Sequence, residues 1–310
     1  MKCFIHANLF DFQHYLEDAY VLFNETILEV GKMSALPKGD YELIDLKGKT
    51  VMPGLVCGHT HLYSYFARGL SLPFSPKNFQ EILDQLWWKI DGALDLENVY
   101  SSGVGFASEF AQNGVTTIID HHASGAISGS LEELRKAVVD QVGLRGVFCF
   151  ESSDRFDLQE CIEENNQFAN KTQKGTSAAL FGMHASMSLR EQSLKQIAAS
   201  STMPLHLHVA ESLMDESLSL KKYGKPIIHR LQDLGLLRKG SLFVHGVHLL
   251  DEEMDLIQQH HINMVVCVTS NMNNGVGLPD IARMQEKGIR VLIGNDGLSS
   301  AMAGEYLNVV

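Results

Sequence analysis

Residues 52–61 read Met52-Pro53-Gly54-Leu55-Val56-Cys57-Gly58-His59-Thr60-His61 and decide how the chain is interpreted. A Pro-Gly turn leads into a short apolar strand, which ends in two histidines one residue apart. Residues i and i+2 of a strand point to the same face, so both imidazoles can reach one metal ion. Groups of metal-binding or acid-base type also follow later apolar runs, namely His208 with Glu211, His245, and Asp296. This recurrence predicts a metal-dependent hydrolase.

Short apolar runs alternate with helical stretches from residue 51 onward. Eight runs have the character of strands: 55–58, 116–120, 144–150, 178–183, 205–209, 242–244, 263–268 and 291–294. The helical stretches between them include 132–141, 189–199, 226–234, 251–260 and 279–287. Eight strand–helix units in about 250 residues predict an α/β fold, a TIM-like (β/α)8 barrel. A doubly wound open sheet is the alternative, and no GxGxxG follows a strand to favour it.

Histidines concentrate at the predicted carboxyl ends of these strands, where barrel enzymes carry their chemistry. Nine of the 14 histidines lie there or just beyond: His59, His61, His121, His122, His184, His206, His208, His245 and His248. We interpret His206 as a packing residue that points to the opposite face of its strand from His208. Imidazoles with one carboxylate suit one divalent metal ion, Zn²⁺ first and Fe²⁺ as the alternative. The fourth run ends at His184 with no lysine nearby to bridge two ions.

Composition narrows the class of protein. The chain of 310 residues is 45% hydrophobic and carries a formal net charge of −12, which argues against nucleic acid or an anionic membrane as partner. Its five cysteines are widely spaced and contain no CxxC, so reduced thiols are expected. No secretory signal or membrane-length apolar segment is evident. We expect a cytoplasmic enzyme with a small-molecule substrate, and a homodimer is left open.

The chain resembles the amidohydrolase superfamily in its mononuclear deaminase and chlorohydrolase branch. The resemblance runs in order through the motifs already quoted, from Met52-Pro53-Gly54 and the HxH to His184, the HxxE of His208 and Glu211, His245-Gly246 and Asp296. More narrowly it is similar to aminohydrolases of the SsnA type. The segments that carry this second resemblance are Leu86-Trp87-Trp88-Lys89-Ile90-Asp91, Ile119-Asp120-His121-His122-Ala123-Ser124 and Ser270-Asn271-Met272-Asn273-Asn274.

The resemblance implies roles for particular residues. It implies that the metal ligands are His59, His61, His208 and Asp296. It implies that Glu211 moves protons and that His245 and Asp296 orient the attacking water, which the metal activates. We further predict that His122, Arg155 and His184, each following a different strand, contact the substrate. Arg155 offers a planar fork for a carboxylate or carbonyl.

The family pattern also predicts the domain organisation. Residues 1–50 are expected to form the N-terminal part of a small β-sandwich, with a hairpin over 19–31 and a strand over 41–46. Residues 51–310 are expected to form the barrel. Family members continue for on the order of a hundred residues past the eighth strand, so we expect a fragment that lacks the last helix and the C-terminal strands. Asn295 stands where threonine is usual before the aspartate.

Three functions remain open at this point. The first is a deaminase of an amino-heterocycle or guanidine-like compound. The second is a chlorohydrolase or cyclic-amide hydrolase. The third is a metal-binding accessory protein that truncation has made inactive.

Overall fold

A computed structural model describes residues 1–172 and 175–309 of the chain. The chain divides into two compact units, Met1–Gly54 and Leu55–Val310. Within the described ranges, no helix has both the length and the apolar character needed to cross a membrane.

The first unit is a small β-sheet. Its strands are β1 (Lys2–Phe10), β2 (Tyr15–Phe23), β3 (Ile27–Lys32), β4 (Glu42–Asp45) and β5 (Thr50–Val51). The sheet order is β3-β2-β1-β4, with β5 also paired to β1. The β2–β3 hairpin and β4 match the predicted strands. The sequence did not predict β1, because a register shift between Phe4 and Ala7, with His6 at φ +51°, breaks its alternation.

The second unit is built on parallel strands. They are β6 (Leu55–Thr60), β7 (Val115–His122), β8 (Arg145–Phe150), β9 (Ser177–Ala179), β10 (Phe181–Ala185), β11 (Leu205–Val209), β12 (Leu242–His245), β13 (Asn263–Val266) and β14 (Val291–Ile293). They form one sheet of order β6-β7-β8-β9 and another of order β10-β11-β12-β13-β14. All eight predicted runs therefore contain strands, and the run over 178–183 is split in two.

Close backbone contacts connect the two sheets in the order of a TIM-like barrel. On one side Ser152 bridges to Met183 in parallel. A Cβ on Gly182 would lie 2.2 Å from the carbonyl oxygen of Phe150, so only glycine permits this approach. On the other side the backbone N–H of Asn295 donates to the carbonyl of His59 at 3.0 Å. The predicted fold class is confirmed, and the two sheets place β6 beside β14.

Helices follow most of the barrel strands. They are α1 (Phe79–Ile82), α2 (Trp88–Ala93), α3 (Leu96–Gln112), α4 (Ser130–Arg135), α5 (Leu158–Lys171), α6 (Glu191–Ser200), α7 (Leu213–Tyr223), α8 (Ile227–Asp233), α9 (Asp251–Gln259), α10 (Val268–Asn274), α11 (Ile281–Glu286) and α12 (Met302–Val309). The segments Leu83–Trp87 and Lys136–Val142 are π-helical. The last helix was expected to be missing, but α12 follows β14 and buries Met302. The expected domain bounds stay a prediction.

Apolar side chains fill the space around and inside the strands. One cluster lies between β6–β8 and their helices, with Phe106, Phe110 and Phe148 fully buried. A second cluster packs β10–β12 against α6, α8 and α9. A third fills the middle of the barrel around Val244 and Val265. The barrel is therefore a packed core, and its polar side chains collect at the carboxyl ends of the strands.

Candidate metal centre and active site

Side chains from three strands meet at the carboxyl end of the barrel. His59 lies in β6 and His61 follows it, His208 lies in β11, and Asp296 follows β14. Oδ1 of Asp296 lies 3.1 Å from Nε2 of His59 and 3.2 Å from Nε2 of His61. The Nε2 atoms of His61 and His208 are 3.3 Å apart. One ligand-type atom from each of His59, His208, His245 and Asp296 also lies within 4.8 Å of the others.

The hydrogen bonds of His61 and His208 show that this cluster suits a metal ion. Nδ1 of His61 lies 2.6 Å from the carbonyl oxygen of His121, and Nδ1 of His208 lies 3.0 Å from that of His184. A carbonyl oxygen only accepts, so Nδ1 carries the proton and a neutral ring presents a lone pair at Nε2. Two lone pairs facing each other at 3.3 Å call for a cation between them. Imidazoles with one carboxylate are a donor set of Zn²⁺ sites.

The pKa values of the cluster show the same demand for a cation, which a proton on His61 can meet and a metal ion can replace. Burial lowers the pKa of His59 to about 4 and that of His208 well below its usual value. Burial alone would also lower the pKa of His61, but the hydrogen bond and charge of Asp296 raise it to about 9. Burial would raise the pKa of Asp296, yet hydrogen bonds from His59 and His61 hold it well below its usual range. The ionised carboxylate therefore attracts positive charge to this position.

Glu211 and His245 stand beside the cluster with free atoms. Oε2 of Glu211 lies 3.6 Å from Nε2 of His245. Among the residues that the structure describes, Oε1 of Glu211 and Nε2 of His245 have no hydrogen-bond partner. Nδ1 of His245 faces Oδ1 of Asn271 at 2.9 Å, which fixes the orientation of the ring. Burial raises the pKa of Glu211 to about 7, a value that suits a group accepting and releasing a proton near neutral pH.

Strained backbone conformations mark the strand ends that carry these residues. Ala210, His245 and Asp296 have φ of +49°, +73° and +56°, a region that residues with a side chain rarely adopt. The backbone N–H of Ala210 donates to Oδ2 of Asp215 at 3.1 Å. This bond holds the turn that carries Glu211 away from β11. Sequence analysis missed Asp215, whose signal was its position in the first turn of α7.

His206 has a different place from the one predicted. Its Nε2 lies 2.8 Å from Nδ1 of His59, and its Nδ1 lies 3.5 Å from Sγ of Cys149. Both rings are fully buried. Our interpretation as a packing residue was wrong, because residues two apart on a strand share a face and His206 points inward with His208. His206 directly supports His59.

An open cavity lies over the cluster. Both aromatic and carboxyl side chains line it. In chain order these side chains are Tyr63, Phe79, Trp87, Trp88, Asp91, Glu151, Glu211, Asp215 and Asp296. Of the predicted substrate contacts, His184 lines the cavity. Asp91 was quoted only within the segment Leu86–Asp91, and Glu151 was not among the predicted site residues.

His122 and Arg155 do not line this cavity. Nη2 of Arg155 lies 2.8 Å from Oδ2 of Asp91 and 2.8 Å from Oε1 of Glu151, and its guanidinium packs 4.7 Å from the ring of Trp88. His122 is fully buried, with its Nε2 on Ser124 Oγ at 3.0 Å. The predicted substrate contacts of His122 and Arg155 stay predictions, and in this structure Arg155 is bonded to two carboxylates, Asp91 and Glu151. The sequence showed the arginine after its strand but not the acids that bind it.

Comparison with known proteins agrees with this geometry. The sequence model of the amidohydrolase family matches residues 50–310. A 5-methylthioadenosine/S-adenosylhomocysteine deaminase of Caldanaerobacter subterraneus is 30% identical over 89% of this chain and 63% of its own length. A 5'-deoxyadenosine deaminase of Methanosarcina acetivorans is 28% identical over 91% of this chain and 66% of its own. The chain thus spans under two thirds of the length of these relatives.

Solved structures share the fold. Guanine deaminase from C. acetobutylicum with bound guanine superposes with a TM-score of 0.86 at 19% identity, covering 99% of this chain and 78% of that one. Atrazine chlorohydrolase from Arthrobacter aurescens, complexed with zinc, gives 0.81 at 20% identity, covering 97% and 73%. The family match extends over most of the chain and includes every strand of the barrel. The chain belongs to the amidohydrolase family.

Proposed function

We propose that the chain is a metal-dependent aminohydrolase that cleaves a C–N bond of a small amino-heterocycle or guanidine-like compound. One divalent ion, Zn²⁺ in our proposal, would be held by His59, His61, His208 and Asp296. The observation that carries the proposal is the pair of imidazole lone pairs at 3.3 Å, next to a buried Glu211 with a free oxygen. The relatives named as deaminases, at 28–30% identity, favour C–N over C–Cl cleavage.

The residues around the cluster would each have a distinct role in the reaction. A divalent ion, when bound, lowers the pKa of water from about 16 toward about 7. Glu211 would take a proton from the attacking water at its free Oε1 and pass it to the substrate nitrogen. His245, fixed by Asn271, orients the attacking water through its free Nε2. Asp296 is held by Ser270, whose hydroxyl donates to Oδ2 at 2.6 Å.

Ammonia release tests the reaction. The zinc-loaded chain is incubated with a panel of amino-purines, amino-pyrimidines, pterins and guanidine compounds, and free ammonia is measured. Chloride release from chlorinated analogues serves as the competing readout. E211Q should keep one metal equivalent and lose activity by about 10²-fold or more. Metal loss in E211Q, or chloride release without ammonia release, would contradict the proposal.

Metal content tests the ligand set separately. H208A and D296A should each lose stoichiometric zinc, measured by atomic emission after gel filtration. H229Q is the control, since His229 lies in α8 outside the cluster. A full metal equivalent bound with unchanged affinity in either alanine variant would show that the ligands are wrongly assigned.

A further inference from the structure

The cavity over the metal centre has an unusual balance of charge. Five carboxyl groups line it: Asp91, Glu151, Glu211, Asp215 and Asp296. Among the described residues, no lysine or arginine side chain is part of this lining. The nearest guanidinium, that of Arg155, lies behind the wall and is shared by Asp91 and Glu151. One arginine cannot neutralise two carboxylates, so this part of the wall keeps a formal negative charge.

Asp91 and Glu151 form a negatively charged wall of the cavity that is buried. A buried charge without a partner costs free energy. Asp91 is 1% exposed and Glu151 is 2% exposed. Oε2 of Glu151 lies 3.9 Å from Nδ1 of His121. His121 places its Nε2 against the carbonyls of Met183 at 3.0 Å and His206 at 3.2 Å, so in a neutral ring the proton is on Nε2. The Nδ1 atom that faces Glu151 then has no proton to offer.

A second buried acid, Asp215, belongs to the same lining. Oδ1 of Asp215 has no hydrogen-bond partner among the described residues, and the residue is 3% exposed. Buried carboxylates of this kind are stabilised by a hydrogen-bond donor or a cation.

Aromatic side chains form another part of the cavity lining. Trp87, Trp88 and Tyr63 line it. Trp88 already packs against one guanidinium, that of Arg155, at 4.7 Å from the ring centroid. Flat cations bind well between carboxylates and the faces of aromatic rings, because the ring quadrupole is negative above its plane.

We propose that the compound seated in this cavity is a planar cation, such as a protonated amidine, guanidine or amino-heterocycle, and that Glu151 and Asp91 select for its charge. This inference rests on the proposed function and narrows its substrate class. A positive charge on the amidine-like carbon would also make that carbon a better target for attack by water. Anionic groups such as phosphates would be repelled from this lining.

A pair of probes with nearly the same shape tests the charge preference. Phenylguanidinium and phenylurea differ mainly by one positive charge, and their binding to the zinc-loaded chain is measured by calorimetry. We expect phenylguanidinium to bind about tenfold or more tightly, which corresponds to one ion pair of roughly 1.4 kcal/mol. E151Q and D91N should each reduce this ratio severalfold, while Arg155 keeps its other carboxylate. E163Q is the matched control, since Glu163 lies on α5, is not part of the cavity lining and accepts a hydrogen bond from Nε2 of Gln159 at 2.8 Å.

The outcomes separate this inference from the proposed function. Equal binding of the two probes, binding of neither at millimolar concentration, or an unchanged ratio in both E151Q and D91N would overturn the charge preference. Calorimetry needs no turnover. A retained preference with no ammonia released from any compound would overturn only the proposed function. Ammonia release with no preference would overturn only the inference.

Discussion

At the scale of single residues, the support behind the metal centre matters as much as the cluster itself. His59 has its Nε2 toward Asp296 and its Nδ1 on His206 at 2.8 Å. Partners of this kind fix the tautomer and orientation of a ligating imidazole. His206 is in turn placed by Cys149 at 3.5 Å. The imidazole of His206 thus orients the imidazole of His59.

Replacing His206 should therefore weaken metal binding without removing a proposed ligand. H206F is expected to lower zinc affinity by about 10- to 100-fold, because His59 loses the partner that orients it. The measurement is competition with a chelator of known affinity. H229Q, which changes a histidine outside the cluster, should keep the wild-type affinity. Wild-type affinity in H206F would mean that His59 is held by packing alone.

Arg155 is a second residue whose surroundings change its expected role. Asp91 and Glu151 are both nearly inaccessible and both bonded to it. R155M should lower the free energy of unfolding by on the order of 3–5 kcal/mol, because it leaves two buried carboxylates unpaired. Urea denaturation followed by circular dichroism measures the loss. R155K keeps the charge but not the planar fork and should recover part of the stability.

The opposite result would support the predicted substrate contact of Arg155. An unchanged urea midpoint in R155M, with a raised KM on a turned-over substrate, would mean that the guanidinium contacts substrate.

At the scale of elements, the sequence predicted the strands but not the residues that support the site. Apolar runs marked the barrel strands and several of them lead into histidines, because buried parallel strands are continuously apolar and chemistry follows their carboxyl ends. Bulges hide strands, as in β1. The role of a residue is also hard to predict when its partner is distant in sequence. Asp91 lies in α2 and contacts Arg155 only in the folded chain.

The pairing of His206 with His59 was missed for a simpler reason. We had placed His206 on the opposite face from His208, although residues two apart on a strand share a face, so no partner in the cluster was expected for it. The proposed ligands, by contrast, were visible because they stand at the carboxyl ends of three strands.

A carboxyl pair at the start of α8 gives that element a pH dependence. The backbone N–H of Ile227 donates to Oε2 of Glu216 at 3.4 Å, and that of Ile228 donates to Oε1 of Glu253 at 2.9 Å. Burial, and then the neighbouring charge of Glu253, raises the pKa of Glu216 to about 8. The folded chain therefore holds a proton on Glu216 that the unfolded chain releases near its ordinary pKa of about 4.3.

The sign of the effect follows from this difference. The contribution of Glu216 to stability is full below its unfolded pKa and is lost as pH rises through about 8. E216Q cannot ionise, so its stability relative to wild type should increase steadily between pH 5 and pH 8.5. Urea midpoints across this range measure the trend. A constant difference at every pH would show that Glu216 is not protonated in the folded chain.

At the scale of the whole molecule, the metal centre lies where the two barrel sheets meet. His59 and His61 come from the sheet of β6, whereas His208 and Asp296 come from the sheet of β10–β14. Direct backbone bonds between β6 and the segment after β14 are few, such as Asn295 to His59. A metal ion bound by these four side chains would link the two sheets. Metal binding and closure of the barrel are then expected to be coupled.

Zinc should therefore stabilise the whole barrel and not only the site. An ion that binds only the folded state adds about 2.7 kcal/mol at a concentration 100 times its Kd. For a chain of this size that predicts a rise in Tm of about 5–10 °C, since each kcal/mol is worth about 2–4 °C. Differential scanning calorimetry with increasing Zn²⁺ measures the rise in the chelator-treated chain. Mg²⁺ at the same concentrations should have little effect, because it prefers oxygen ligands in octahedral geometry. D296A should not respond to Zn²⁺, and an equal rise in D296A would mean that zinc stabilises the chain from another place.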